Sequence, residues 1–143
     1  MKYLLDTNVY LGAVPTEARR ARFRQTFFPL IPATYLCSVV AYELAVSAKN
    51  RRTRALVREL VSPMERTGRL VAPSFEDWMT AAEVISGISE AERGWRSKLP
   101  ALLNDVLIAA CARQIGATLL TYNRADFLLI HRHLDFSLRV LEG

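Results

Sequence analysis

Four acidic residues stand at the ends of apolar runs or inside them. Asp6 follows Lys2-Tyr3-Leu4-Leu5, and Glu43 lies in the run after Ser38. Asp105 sits within Leu103-Asn104-Asp105-Val106-Leu107-Ile108-Ala109-Ala110, and Asp126 follows Thr118-Leu119-Leu120-Thr121. Hydroxyl and amide side chains accompany them: Thr7 and Asn8 after the first, Thr121 and Asn123 before the last. Carboxylates brought together repel, by roughly 4 kcal/mol for two charges about 4 Å apart at an effective dielectric near 20. A cluster of three or four persists best around a cation, and oxygen ligands suit a hard ion, Mg²⁺ or Mn²⁺. Such an ion can hold a phosphodiester, acidify a water and stabilise a leaving oxygen, alone or as a pair.

Each acid alone has a plainer explanation. Asp105 in the first turn of a helix would stabilise the helix dipole by about 0.3–1 kcal/mol. Glu43 alone reads as a solvated helix residue, and Asp126 as an N-terminal acid of the next helix. Asp6 is harder to dismiss, because it directly follows a strand that should be buried. The four together carry the chemistry; none does so singly.

The elements that must position them follow from the apolar patterning. Short buried strands are expected at 2–5, 34–37, 70–72, 118–121 and 137–141. Helices are expected at 7–14, at 17–28 after a Thr16 cap, and from a Ser38 cap to about Lys49. A further helix carries the stripe Leu56, Val57, Leu60 and Val61, and Pro63 and Gly68 bracket the loop after it. Ser74 and Asp77 have capping-box spacing, opening a helix whose face is Phe75, Trp78, Met79, Ala82 and Ile85. Residues 87–100 read as a basic connection, and 104–115 as an apolar helix. Strands alternating with helices indicate an α/β fold, a parallel sheet covered on both faces. Ligands of such sheets bind beyond the carboxyl ends of the strands, near the switch in strand order, where these acids fall.

Composition bounds the rest. A chain of 143 residues is expected to be one domain, 1–143, and its 51% hydrophobic content argues against disorder. A net charge of +5 favours polyanionic partners without fixing the fold. Cys37 and Cys111, each in an apolar run, read as core thiols of a reducing compartment, with little to support a disulfide. Residues 1–5 are too short for a signal peptide, and no apolar run spans a membrane, so a cytoplasmic location is expected.

Asp6-Thr7-Asn8, Ser38…Glu43-Leu44, Asn104-Asp105-Val106-Leu107-Ile108-Ala109-Ala110 and Gly116-Ala117-Thr118-Leu119-Leu120-Thr121-Tyr122-Asn123-Arg124-Ala125-Asp126-Phe127 together resemble a PIN domain. The similarity is to the endoribonuclease toxins of type II toxin–antitoxin pairs, the VapC class, and it runs along essentially the whole chain. It implies a three-layer α/β/α domain with about five parallel strands in the order 3-2-1-4-5. It also implies a Mg²⁺- or Mn²⁺-dependent endoribonuclease whose partners are RNA, a cognate antitoxin and a second copy of the chain. By position Asp6, Glu43 and Asp105 match the family's first three acids. Asn123 and Asp126 share the fourth place, leaving one metal or two open. Asp6, Glu43, Asp105 and Asp126 would then be catalytic, with Asp6, Asp105, Glu43 and Asn123 toward the metal. Thr7, Asn8 and Thr121 would hold them in place.

Arg93, Trp95 and Arg96, just before Asp105, could hold a phosphate and stack a base, or form a solvated loop. Arg124, between Asn123 and Asp126, is the better-placed cation. Arg19, Arg20, Arg22 and Arg24 read first as an exposed helix face. His131 and His133 lack the spacing and companions of a zinc site. A receiver-type signalling domain would need a lysine near its penultimate strand end, and the last lysine here is Lys98. A phosphatase of the Asp-x-Asp kind would need a second Asp where Asn8 stands. The remaining alternative is a PIN fold acting as a protein- or nucleic-acid-binding module with little turnover. The apolar stripes at 40–48 and 54–61 could serve a dimer, or the monomer's own core.

Overall fold

The five short apolar runs form one sheet. A computed structural model describes the backbone of residues 1–143 and every side chain except those of Arg93, Trp95 and Arg96. The strands are β1 (Lys2–Leu5), β2 (Thr34–Cys37), β3 (Leu70–Val71), β4 (Ala117–Thr121) and β5 (Ser137–Val140). All neighbours pair in parallel, in the order β3-β2-β1-β4-β5, as expected. The chain leaves β1 on one side for β2 and β3, then returns on the other for β4 and β5. The order therefore switches between β1 and β4, and a crevice opens beyond their carboxyl ends.

The helices are α1 (Thr7–Leu11), α2 (Glu17–Phe27), α3 (Ser38–Ser47), α4 (Arg51–Arg66), α5 (Phe75–Ala91), α6 (Leu99–Ile115) and α7 (Arg124–His131). Thr16 caps α2 through the Arg19 N–H at 3.1 Å, and Ser74 and Asp77 form a complete capping box on α5. Among the described residues no helix is long and apolar enough to cross a membrane.

Several boundaries depart from the sequence pattern. The first helix stops at Leu11 rather than 14. Ser38 is the first helical residue of α3 and not its cap; Cys37 holds that position without a side-chain bond. Pro63 lies inside α4, where the carbonyl it deprives of a partner belongs to exposed Glu59 and can be solvated. The N-terminus of α6 is at Leu99, not Asn104, because Pro100 fits the first turn of a helix. Gly116, at φ 67°, ends that helix in the left-handed conformation.

The face of α5 is the largest correction. Phe75, Trp78 and Met79 are 82%, 50% and 50% exposed, while Asp77, Ala81, Val84 and Ile88 face inward. The capping box turns Asp77 toward α6, where Gln114 Nε2 donates to its carboxylate. Once that turn is fixed, the small Ala81 faces the core and the bulky residues point outward.

Helix α6 is buried without interruption from Val106 to Ala112, as an all-round apolar helix must be. Val40, Leu44, Ala48, Val57 and Val61 are buried in the monomer, which accounts for most of the stripes at 40–48 and 54–61. Cys37 and Cys111 are free core thiols hydrogen-bonded to each other. His131 donates through Nε2 to the Phe136 carbonyl, 3.0 Å away, and its ring packs edge-on against that of Phe136.

Tyr10 is wholly buried beside Phe23, and its hydroxyl has no partner among the described residues. A buried polar group left unbonded costs about 1–3 kcal/mol. Tyr10→Phe is therefore expected to stabilise the fold by about 1 kcal/mol, read as a higher urea midpoint at unchanged m-value.

Candidate functional site

Asp6 leaves the end of β1 as the N-cap of α1, and its backbone N–H still donates to the Leu120 carbonyl of β4 at 2.9 Å. This one residue thus ties the end of β1 to β4, the two strands that flank the switch. Its carboxylate is buried, at 4% exposure. Oδ1 accepts from the Thr7 N–H at 2.8 Å and Oδ2 from the Thr121 hydroxyl at 2.7 Å. Thr121 Oγ1 in turn accepts from the Asn123 N–H at 2.9 Å and the Asn8 amide at 3.4 Å. The Thr121 hydroxyl is therefore the hub that fixes Asp6 against the end of β4.

Glu43 reaches this group from the second turn of α3. The Thr7 hydroxyl donates to its Oε1 at 2.6 Å, and Asn104 Nδ2 to its Oε2 at 3.4 Å. Asn104 had no role assigned from sequence, although it stands inside the same motif as Asp105. Asp105 is the seventh residue of α6 and not in its first turn. The dipole account of this acid fails, because that effect falls off within one turn.

Asn123 is the N-cap of α7. Its Oδ1 accepts from the Asp126 N–H at 3.3 Å and its Nδ2 donates to Asp126 Oδ2 at 2.9 Å. Both polar atoms of Asn123 are thus engaged with Asp126, whose carboxyl also hydrogen-bonds Asp105. Arg124 is exposed and has no side-chain partner among the described residues. The expected contacts of Arg93, Trp95 and Arg96 fall on side chains outside the described residues.

The electrostatics follow from packing these acids together. Burial, then the negative charges of Asp6, Asp126 and Glu43, push the Asp105 carboxyl up to about 8. Burial pushes Asp6 up to about 6, against the lowering effect of its bonds from Thr121 and Thr7; the charges of Glu43 and Asp126 add to the rise. Among the described residues no three His, Cys, Asp or Glu side chains stand close enough to hold one ion together. The donor chemistry nonetheless fits a hard divalent cation: every candidate atom is oxygen, and the surplus negative charge is what a cation would neutralise.

No curated protein sequence matches the chain. Its fold is similar to that of solved structures which are 20% identical to it. In the Rickettsia felis VapBC2 complex bound to a promoter DNA fragment, the matched chain covers 99% of this one and is itself covered fully, with a TM-score of 0.70. The DNA-bound VapBC of Salmonella typhimurium matches over 98% of each chain with a TM-score of 0.69. FitAcB of Neisseria gonorrhoeae matches over 95% of each with 0.65. The family model described as PIN domain matches residues 3–130, from the first strand to the helix that carries Asp126. With that match spanning every acid of the site, the chain belongs to the PIN domain family.

Proposed function

We propose that this protein is a Mg²⁺- or Mn²⁺-dependent endoribonuclease, the toxin of a type II toxin–antitoxin pair of the VapC class. The observation that carries this reading is the convergence of Asp6, Glu43, Asp105 and Asp126 beyond the ends of β1 and β4, with Asp6 and Asp105 pushed up to about 6 and 8. So much uncompensated charge in a crevice is characteristic of a functional site. Membership of the PIN family and the likeness to chains of toxin–antitoxin complexes support it.

Asp6, Asp105 and Glu43 would hold the ion, with Asp126 or Asn123 beside them. When bound, it would supply positive charge to a phosphate oxygen and acidify a water. The chain's own groups do the rest. Thr121 and the Thr7 N–H orient Asp6, while the Thr7 hydroxyl and Asn104 orient Glu43. Glu43 or Asp126 accepts the proton of the attacking water, and Arg124 draws the phosphate backbone toward the crevice. The products would carry 5′-phosphate and 3′-hydroxyl ends. An antitoxin covering the crevice and a second copy of the chain are the expected partners; Tyr42 and Val46 remain exposed on α3, on either side of Glu43 in sequence.

One observation favours a second reading, a binding module with little turnover: the acids do not form a ready-made cage for one ion. Ion binding would have to draw them together as it neutralises them. The deciding experiment incubates the purified protein with a panel of structured RNAs in Mg²⁺ or Mn²⁺. Cutting that is abolished by chelation and by Asp6→Asn is the expected result. A folded protein that binds RNA but cuts nothing with either metal would establish the binding module instead.

A further inference from the structure

A cavity of about 380 Å³ between α1 and α2 reaches Tyr122, the residue after Thr121; none of the four acids lines it, and the metal-centred chemistry leaves its lining unused. Val9, Phe23 and Phe27 give it an apolar wall, and Arg19, Arg22 and Tyr122 also line it. Arg19, Arg22 and Phe23 stand at i, i+3 and i+4, one face of α2. The other two arginines of that helix, Arg20 and Arg24, are tied to Glu17 at 3.1 and 2.9 Å. Arg19 and Arg22 are exposed and have no side-chain partner among the described residues. Tyr122 connects the cavity to the acids. It follows Thr121, which donates to Asp6, and its own N–H donates to Asn8 Oδ1 at 3.2 Å. Tyr122 is 39% exposed as a residue, with Gly143 beside its ring.

We propose that this cavity seats one nucleotide of the RNA next to the scissile phosphate, with the base on the Tyr122 ring and the phosphate between Arg19 and Arg22. The proposal rests on the ribonuclease reading and adds the direction in which the strand leaves the acids, along α1 toward α2. The size suits a single planar group, since ligand pockets run from about 300 to 1,000 Å³. Two unpaired guanidiniums with an aromatic face and an apolar wall match a nucleotide better than an acidic peptide, which would use the charges alone.

The test measures binding of a labelled, single-stranded RNA of random sequence to the full chain in metal-free buffer, at several salt concentrations. Cleavage of the structured RNA panel is read in parallel. Arg19→Ala/Arg22→Ala should weaken binding at least about 10-fold and lower the slope of log affinity against log salt by about 0.7, the value for one phosphate contact. Tyr122→Leu should weaken binding by about 5- to 150-fold, the range expected for one lost base stack, and Tyr122→Phe should retain it. Arg51→Ala/Arg52→Ala removes the same charge from the start of α4 and should leave the slope unchanged.

If wild type binds and cuts while the two double variants behave alike, the cavity is not a subsite and the ribonuclease reading stands. If wild type neither binds nor cuts, both fall. Normal RNA binding by Arg19→Ala/Arg22→Ala, with loss of polyglutamate binding, would overturn the proposal in favour of an acidic peptide. Thermal melts of each variant confirm that the exposed substitutions leave the fold intact.

Discussion

Asp105→Asn is expected to separate stability from activity: higher melting than wild type in metal-free buffer at pH 8, with RNA cleavage slowed at least about 1,000-fold. Burial and the charges of Asp6, Asp126 and Glu43 hold the Asp105 carboxyl near 8, far above its ordinary 3.8. Each unit of such a shift corresponds to about 1.36 kcal/mol of preference for the neutral form. An amide of nearly the same shape is neutral at every pH and can donate to Asp126. The relief is shared among acids that repel one another, so a gain of a few kcal/mol is expected, or about 3–5 °C of melting temperature per kcal/mol at this length. The same substitution removes a charge that would hold the cation, and about 4 kcal/mol of lost transition-state stabilisation corresponds to the 1,000-fold effect. Circular-dichroism melts and single-turnover cleavage measure the two sides separately. A variant that melts lower would make Asp105 a structural residue. One that still cuts would move the chemistry elsewhere.

The sheet was readable because parallel strands buried on both faces have almost no polar residues to confuse the pattern. Leu4, Leu5, Leu119 and Leu120 are all buried at 1% exposure or less, and their runs end where Asp6 and Thr121 begin. Helix ends and faces were less readable, because neighbours decide them. Pro63 and Pro100 impose the same backbone constraint, yet one lies within a helix and the other opens one. On α5, five apolar residues at helical spacing predicted the wrong inward face. Periodicity counts hydrophobicity and cannot register that Asp77 is held inward by Ser74 and Gln114.

The acids were legible as a set, Asp6 and Asp126 after strands and Glu43 and Asp105 within helices. Their hydrogen-bond partners were not. Nothing in sequence ties Thr7 to Glu43, 36 residues away, or makes the Thr121 hydroxyl the centre of bonds to Asp6, Asn8 and Asn123. The arginines of α2 read as one solvated basic face. Only the placement of Glu17 against Arg20 and Arg24 divides them into a paired set and a free set.

Stability in metal-free buffer is expected to fall as pH rises from about 5 to 8, and Mg²⁺ is expected to reverse the loss most strongly at the alkaline end. The folded chain retains the Asp6 proton to about 6 and the Asp105 proton to about 8, while the unfolded chain releases both near 3.8. Between those values the folded state binds more protons, so raising the pH favours unfolding. The contribution is present below 3.8 and lost as pH climbs through 6 for Asp6 and through 8 for Asp105. Glu17 acts with the opposite sign: Arg24 and Arg20 hold its carboxyl below its ordinary value, so its contribution is lost toward acid pH. That effect lies below the range measured. A cation competes with the protons for the same carboxylates, so it binds more tightly at pH 8 than at pH 5.5 and releases protons as it binds. At a free concentration about 100-fold above its dissociation constant it would add about 2.7 kcal/mol. Melts at the two pH values, with and without Mg²⁺, check the direction. Calorimetry in two buffers of different ionisation enthalpy counts the protons. Asp6→Asn/Asp105→Asn should flatten the metal-free pH profile and abolish the Mg²⁺ effect together. A profile that flattens while Mg²⁺ still stabilises would mean the ion is held by other residues than the two that carry the strain.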